Sequence, residues 1–406
     1  MVLPVYLPRL LGGPQGKEEL IAGYFIQGYT DNEMLAALAS IHGVILSLST
    51  LKRSLRKLGL RRRLEPGGNI PLHDVIDAIL NIIEHSGQCL GYRTVWKRVI
   101  SQYNIRVTRD TVMELMRVID ANAVERRRKR RLLRRRYSSP GPNFIWHLDG
   151  YDKLKPFGFA IHGAIDGYSR RILWLEVGPS NNNPRIVATY FLETVRQLGG
   201  SPVRCRCDLG TENVLLEELQ PLFAVNYDPD SADESCLLYG KSTSNQRIES
   251  WWGILRRQAS DWWISLFQNL RNDGLIRDHD ELCMECLRFC FMTVIQLELH
   301  QVAVLWNQHT IQMKKNNEGP RGKPDVMFFV PQLYDTRDHS LPCDNDLVEH
   351  CFETYGMDRP VHGCSEEFNE LLRLLLQEEQ VQPPTSVDEA VGFYAKLLDE
   401  IDRLDN

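Results

Sequence analysis

Two short runs, each rich in β-branched and aromatic or alternating residues and each closing on an aspartate before a turn, limit the fold of this 406-residue chain more than any other feature. Phe144-Ile145-Trp146-His147-Leu148-Asp149-Gly150 reads as a buried strand that ends at a turn. Val203-Arg204-Cys205-Arg206-Cys207-Asp208 alternates in polarity and runs into the turn-forming Leu209-Gly210-Thr211-Glu212-Asn213. A third segment, Ser244 to Arg257, repeats its apolar residues at helical spacing, has Ser or Thr upstream for a cap, and carries Glu249.

Hard divalent cations take oxygen ligands, and magnesium accepts only one or two protein carboxylates per ion. Asp149, Asp208 and Glu249 therefore suit two ions, with Asp149 bridging and the other two each completing one shell. Two metals roughly 3.5 to 4 Å apart can activate an attacking oxygen and stabilise a leaving one at phosphorus. The competing reading is that all three are ordinary surface acids, because a chain with 53 Asp and Glu holds such a trio at almost any spacing. Context favours a site: two strand ends with turns, then a helix with basic residues one and two turns beyond its Glu.

Four pieces in order, Trp-His-Leu-Asp-Gly at 146–150, Ala-Ile-Asp-Gly-Tyr-Ser-Arg-Arg-Ile at 164–172, Cys-Asp-Leu-Gly-Thr-Glu-Asn at 207–213 and Asn-Gln-Arg-Ile-Glu-Ser-Trp-Trp at 245–252, resemble the integrase catalytic core of the DDE recombinases. Trp306-Asn307-Gln308-His309 and Gly322-Lys323-Pro324-Asp325 are similar to sequence downstream of that core in eukaryotic integrase-like proteins. The resemblance implies an α/β, ribonuclease H-like fold, a mixed sheet flanked by helices. It also implies that Asp149, Asp208 and Glu249 are the catalytic, metal-binding triad for Mg2+ or Mn2+, two ions per site. The implied reaction is polynucleotidyl transfer, in which water or a DNA 3′ hydroxyl attacks a phosphodiester.

Charge is divided unevenly along the chain. Residues 1–140 hold 24 basic and 12 acidic side chains and the remainder 24 and 41, so the net −5 splits into +12 and −17. A basic N-terminal part is the footprint of a polyanion partner, here DNA. Within it, Glu18 to Gln27 predicts one helix, and Thr30-Asp31-Asn32-Glu33 has the pattern of a capping box opening a second. Ser49 to Leu58 predicts a third, with Leu51, Leu55 and Leu58 on one face. Lys52, Arg53, Arg56 and Lys57, followed by Arg61, Arg62 and Arg63, make it a candidate DNA-reading helix of a helix-turn-helix. A plain three-helix bundle with a solvated basic face is the alternative.

Leu64 to Pro71 reads as a linker. Segments starting at His73, Gly91 and Thr108 form a second helical unit resembling the second helix-turn-helix of some insertion-sequence transposases. His73, His85 and Cys89 lack a Cys-x-x-Cys partner, so no zinc is expected there. Arg126, Arg127, Arg128, Lys129, Arg130 and Arg131 begin the densest basic run, which ends at Arg136 immediately before the core. It suits a phosphate-contacting arm and equally a nuclear import signal.

In the core, Asp166 before Gly167 reads as a turn residue, and His147 and His162 as core histidines or substrate-orienting groups. Asn245, four residues before Glu249, and Arg256 and Arg257, seven and eight after it, are candidates for DNA contact. Trp251, Trp252, Trp262 and Trp263 read as packing residues. Cys283, Cys286 and Cys290 lie on a strongly helical run and read as buried hydrophobes in preference to a zinc site. Ser365 to Gln380 and Ser386 to Leu404 predict two amphipathic, acidic helices, a helical cap on the core or a protein interaction surface.

The expected plan is helix-turn-helix over 1–64, a second helical module over 65–123, a basic linker over 124–143, the catalytic core over 144–315 and an acidic, partly helical C-terminal region over 316–406. No signal peptide or membrane span is expected, and the 10 cysteines read as reduced thiols. The expected activity is that of a DDE-type integrase or transposase, nuclear, DNA-binding and a dimer or tetramer on DNA. A transposon-derived protein keeping the fold as a binding module is the alternative, and a purely hydrolytic nuclease a third.

Overall fold

The protein is seen in a computed structural model describing residues 16–61, 71–84, 90–119, 139–227, 236–240, 245–312, 319–360, 362–379 and 383–404. At its centre lies a five-stranded mixed sheet built from β1 (Ile145–Tyr151), β2 (Ala160–Asp166), β3 (Ile172–Gly178), β5 (Arg204–Cys207) and β6 (Leu237–Tyr239). The spatial order is β3-β2-β1-β5-β6, with β1, β2 and β3 an antiparallel meander and β5 and β6 parallel to β1. Helices cover it, so the architecture is α/β and ribonuclease H-like. Two residues, Gly200–Ser201 (β4), pair with Leu341–Pro342 (β7) outside this sheet.

Alternation along the strands sorts side chains between two layers. Trp146 and His162 face α7 (Pro184–Leu198), where Trp146 meets Phe191 and His162 stacks on Tyr190. Asp149, Tyr151 and Gly163 face the other way, toward α9 (Gln246–Leu255), whose Trp252 lies against Tyr151. Beyond α7, the helix α8 (Leu216–Tyr227) adds Phe223 to the first layer. Beyond α9, a π-helical turn over Arg256–Ser260 leads into α10 (Asp261–Asn272).

The turn after β2 is organised by Asp166. Its buried carboxylate accepts the backbone N–H groups of Asn143, Tyr168 and Ser169 and the Ser169 hydroxyl. Burial nevertheless pushes its pKa up, to about 6. The turn role read from the sequence agrees with this geometry, which also ties the entry to β1 to the end of β2.

The 27-residue helix α11 (Glu281–Asn307) runs along β3. An edge strand leaves a row of backbone donors and acceptors open. Here Gln296 accepts from the Val177 N–H and donates to the Leu175 carbonyl, both at 2.8 to 2.9 Å. Asn307 does the same for the N–H and carbonyl of Ile172. The two amides thus stand in for a neighbouring strand. Cys283, Cys286 and Cys290 are buried on α11, and every described cysteine is a free thiol.

Three helices, α1 (Lys17–Ile26), α2 (Asp31–His42) and α3 (Leu48–Lys57), form the first N-terminal unit around Leu20, Met34, Leu38, Leu51 and Leu55. The capping box exists: Thr30 Oγ1 accepts the Glu33 N–H, and Glu33 accepts the Thr30 N–H at 2.7 Å. This unit packs on α12 (Pro324–Phe329), sharing its core with Val326 and Val330. Lys323 lies 4.6 Å over the Tyr29 ring and donates to Gly28, and the buried Arg171 pairs with Asp325 at 3.0 Å between the Phe328 and Phe329 rings.

The second unit, α4 (Leu72–Glu84), α5 (Tyr92–Tyr103) and α6 (Arg109–Ile119), has its own small core around Ile79, Val95, Val99, Val112 and Met116. It meets the central domain where Lys97 donates to the Gln308 carbonyl and Gln102 to Gln301. Buried Arg98 reaches the Gln258 carbonyl in the π-helical turn.

At the C-terminal side, α13 (Asn345–Tyr355), α14 (Glu366–Glu379) and α15 (Val387–Leu404) contribute Val348, Cys351, Phe368, Leu372, Tyr394 and Leu398 to the same core as the sheet. Tyr394 donates to the Leu275 carbonyl and Arg277 grips Asp402 with two bonds of 2.7 and 2.8 Å. The two expected acidic helices are present, and they cap the core. Among the described residues no helix is long and apolar enough to cross a membrane.

Candidate active site

The parallel register of β1 and β5 pairs Ile145 with Arg204, Trp146 with Cys205 and His147 with Arg206. Carried two residues on, just past the end of β5, that register aligns Asp208 with Asp149, and Asp208 is near enough to raise the Asp149 pKa. Asp149 does not end its strand. Gly150 and Tyr151 continue the pairing with His162 and Ile161, so the strand runs two residues past it. Asp208 follows the last residue of β5 directly.

Glu249 comes from above. It is exposed in the first turn of α9, and that turn is pinned to β1 by Asn245. The Asn245 amide donates to the Leu148 carbonyl at 2.6 Å, and its oxygen lies 2.7 Å from His147 Nδ1, which must therefore carry the proton. Both partners precede Asp149 directly in the chain. Asn245 is buried with its amide committed inside the protein, so the structure places it as a clamp between helix and strand.

One turn beyond Glu249 and two beyond Asn245, Trp252 Nε1 donates to Asp149 Oδ2 at 2.8 Å. The ring fits because its neighbour on β2 is Gly163, the register partner of Asp149. A Cβ there would meet Trp252 Cη2 at 2.9 Å. Sequence reading assigned Trp252 to packing alone; its spacing of three residues from Glu249, one helix face, was the available signal.

The acids lie within reach of one another's charge. Burial pushes the Asp149 pKa up to about 7, helped by Glu249 and Asp208 and opposed by the Trp252 and Gly150 N–H groups. Glu249 is raised by burial and by Asp208. Glu212 is raised by burial, Asp208 and Asp152, with Lys155 pulling the other way. Negative groups that raise one another's pKa are relieved by a cation. The donor set consists of hard carboxylate oxygens and fits a hard divalent ion. The carboxylates stand within electrostatic reach of one another, though among the described residues no three are already gathered as a metal cage.

Basic candidates fall in two places. Arg256 lies at the exit of α9, where Nε holds Asp261 at 2.7 Å, and Arg257 beside it is exposed. Lys52, Arg53, Arg56, Lys57 and Arg61 are all exposed on α3 and just past it, with Lys57 paired to Glu18 at 2.9 Å. The α3 group belongs to the first N-terminal unit and is separate from the acidic site. Arg62, Arg63 and the run Arg126, Arg127, Arg128, Lys129, Arg130 and Arg131 lie outside the described residues. His147 and His162 are core histidines, held neutral by burial with pKa values lowered to about 3 and about 4.

Residues 136–327 match the family model described as integrase core domain. No curated protein matches the chain. Domains of this family generally bind DNA, act as polynucleotidyl transferases and use divalent metals.

Proposed function

We propose that this protein, whose residues 136–327 match an integrase core domain, is a DDE-type integrase or transposase that cuts and joins DNA strands. The reading rests on the β1–β5 register, which when extended aligns Asp208 with Asp149, and on the Asn245 clamp that holds the Glu249 helix to β1. Asp149, Asp208 and Glu249 would hold two divalent cations, Mg2+ or Mn2+. Bound there, such a pair supplies activation of the attacking oxygen and stabilisation of the leaving one.

The chain's own residues do the rest. Trp252 holds one oxygen of Asp149 and thereby fixes the direction of the other. The Asn245 clamp sets the height of Glu249 over the strands. Arg256 and Arg257, at the end of the same helix, suit the phosphates flanking the reacting one. DNA is read by α3 as the last helix of a helix-turn-helix, through Lys52, Arg53, Arg56, Lys57 and Arg61 to 63. The basic run from Arg126 grips the backbone between reader and site. Two ends require two or more protomers, and the same basic run serves nuclear entry.

The test is a nicking and joining assay with the full chain, supercoiled plasmid and labelled duplex ends, in magnesium or manganese, beside Asp208→Asn. Cleavage or joining by the wild type and its loss in the variant support the reading. DNA binding with neither reaction from the wild type replaces it with a recruited, non-catalytic DNA-binding module.

A further inference from the structure

The turn joining α2 to α3 and the helix ends beside it expose three aliphatic side chains. Ile45 is 86% exposed, Leu48 40% and Ile41 36%, while their neighbours Val44 and Leu46 pack inward. Lone exposed aliphatics are ordinary, but three within eight residues form a patch. Gly43, with φ +64, closes α2, and Ser47 caps α3 through the Thr50 N–H, so the patch sits on a well-defined backbone at the start of α3. Leu51 and Leu55 are buried against α1 and α2. Leu48 and Lys52, four apart, share the adjoining edge, and Arg53 and Arg56 point outward.

A surface of aliphatic groups rimmed by exposed cations has a complementary partner in the DNA major groove. There phosphates line the walls and the thymine C5-methyl is the apolar group presented on a base edge. The first residues of a reading helix are the ones that reach base edges. We propose that Ile45 and Leu48 contact thymine methyl groups, so that the first N-terminal unit selects thymine at one or two positions of its site. This rests on the reading of α3 as the DNA-contacting helix. It adds the base the helix prefers and the residues that choose it.

Full-length protein is used to enrich a random-sequence duplex pool, and the enriched duplex is remade with uracil replacing each thymine in turn, which removes only the methyl group. Expected is a loss of about fourfold in affinity at one or two positions, the worth of one buried methyl. Ile45→Ser and Leu48→Ser should each erase the thymine–uracil difference at one of them. Both residues are exposed, so the variants keep the core of the unit intact. Uracil tolerated everywhere, while Arg53→Ala still weakens binding, overturns the methyl contact and leaves the reading of α3 standing. Indifference of duplex binding to both Arg53→Ala and Arg56→Ala removes the reading of α3, and the inference with it. Silent uracil together with altered self-association in Ile45→Ser overturns the proposal in favour of a contact between copies.

Discussion

Trp252 Nε1 donates a 2.8 Å hydrogen bond to Asp149 Oδ2 across the gap between helix and sheet. In the proposed site Asp149 must present its free oxygen in a set direction, and a single indole N–H supplies that constraint. Trp252→Phe keeps the ring packing and deletes the donor. Hydrogen bonds to charged groups are worth about 1.5 to 3 kcal/mol, so strand-cutting rate should fall about 10- to 100-fold at saturating DNA with affinity unchanged. A rate within twofold of the wild type would remove Trp252 from the site.

Gly163 tests the same contact from below. An added Cβ would approach Trp252 Cη2 to 2.9 Å and Leu175 Cδ1 to 3.2 Å. Overpacking of this sort costs about 1 to 3 kcal/mol. Gly163→Ala should lower the urea midpoint, and pairing it with Trp252→Phe should leave a double-mutant coupling well above zero. Strict additivity would show that the ring moves freely.

His162 makes stability depend on pH. Trp174 Nε1 donates to its Nδ1 at 3.0 Å, and burial lowers its pKa from 6.5 to about 4. The unfolded chain therefore takes up the proton first. Stability is full above pH 6.5 and drains as pH falls toward 4, by roughly 3 kcal/mol from this group. Urea titrations at pH 7 and 4.5 should show a smaller acid loss in His162→Gln than in the wild type. Equal losses would place the acid sensitivity elsewhere.

The Arg171 to Asp325 pair, at 3.0 Å and buried, ties β3's start to the segment on which the first N-terminal unit rests. Removing one partner strands a charge, so Asp325→Ala should cost about 3 to 5 kcal/mol, whereas the joint replacement Arg171→Met with Asp325→Leu should cost less. Limited proteolysis should release the unit around α1 to α3 from the single variant first. Single and double variants of equal stability would mean that the pair carries no such role.

Much of this layout was legible in the chain. Asp208 does close its strand, Thr30 and Glu33 do cap α2, and Leu51 and Leu55 do form the inner face of α3, because strand composition, capping and helical spacing are local. The end of β1 lies two residues beyond the expected Asp149, since Gly150 and Tyr151 owe their strand conformation to pairing with β2 and not to their own type. Asn245 read as a DNA contact because nothing near it in sequence reveals His147, 98 positions away. Gln296 and Asn307 have backbone atoms of β3 as their partners, which no side-chain pattern encodes. The attachment of α13 to α15 to the sheet's core is likewise a long-range fit between surfaces.

The amides of Gln296 and Asn307 also decide how two copies of the sheet can meet. With the Val177 N–H, the Leu175 carbonyl and both backbone groups of Ile172 already bonded to α11, the β3 rim offers a foreign strand only an interrupted ladder. Growth of the sheet from one molecule into the next is thereby disfavoured at β3, because an incoming strand would have to displace side-chain amides that already fill its bonding positions.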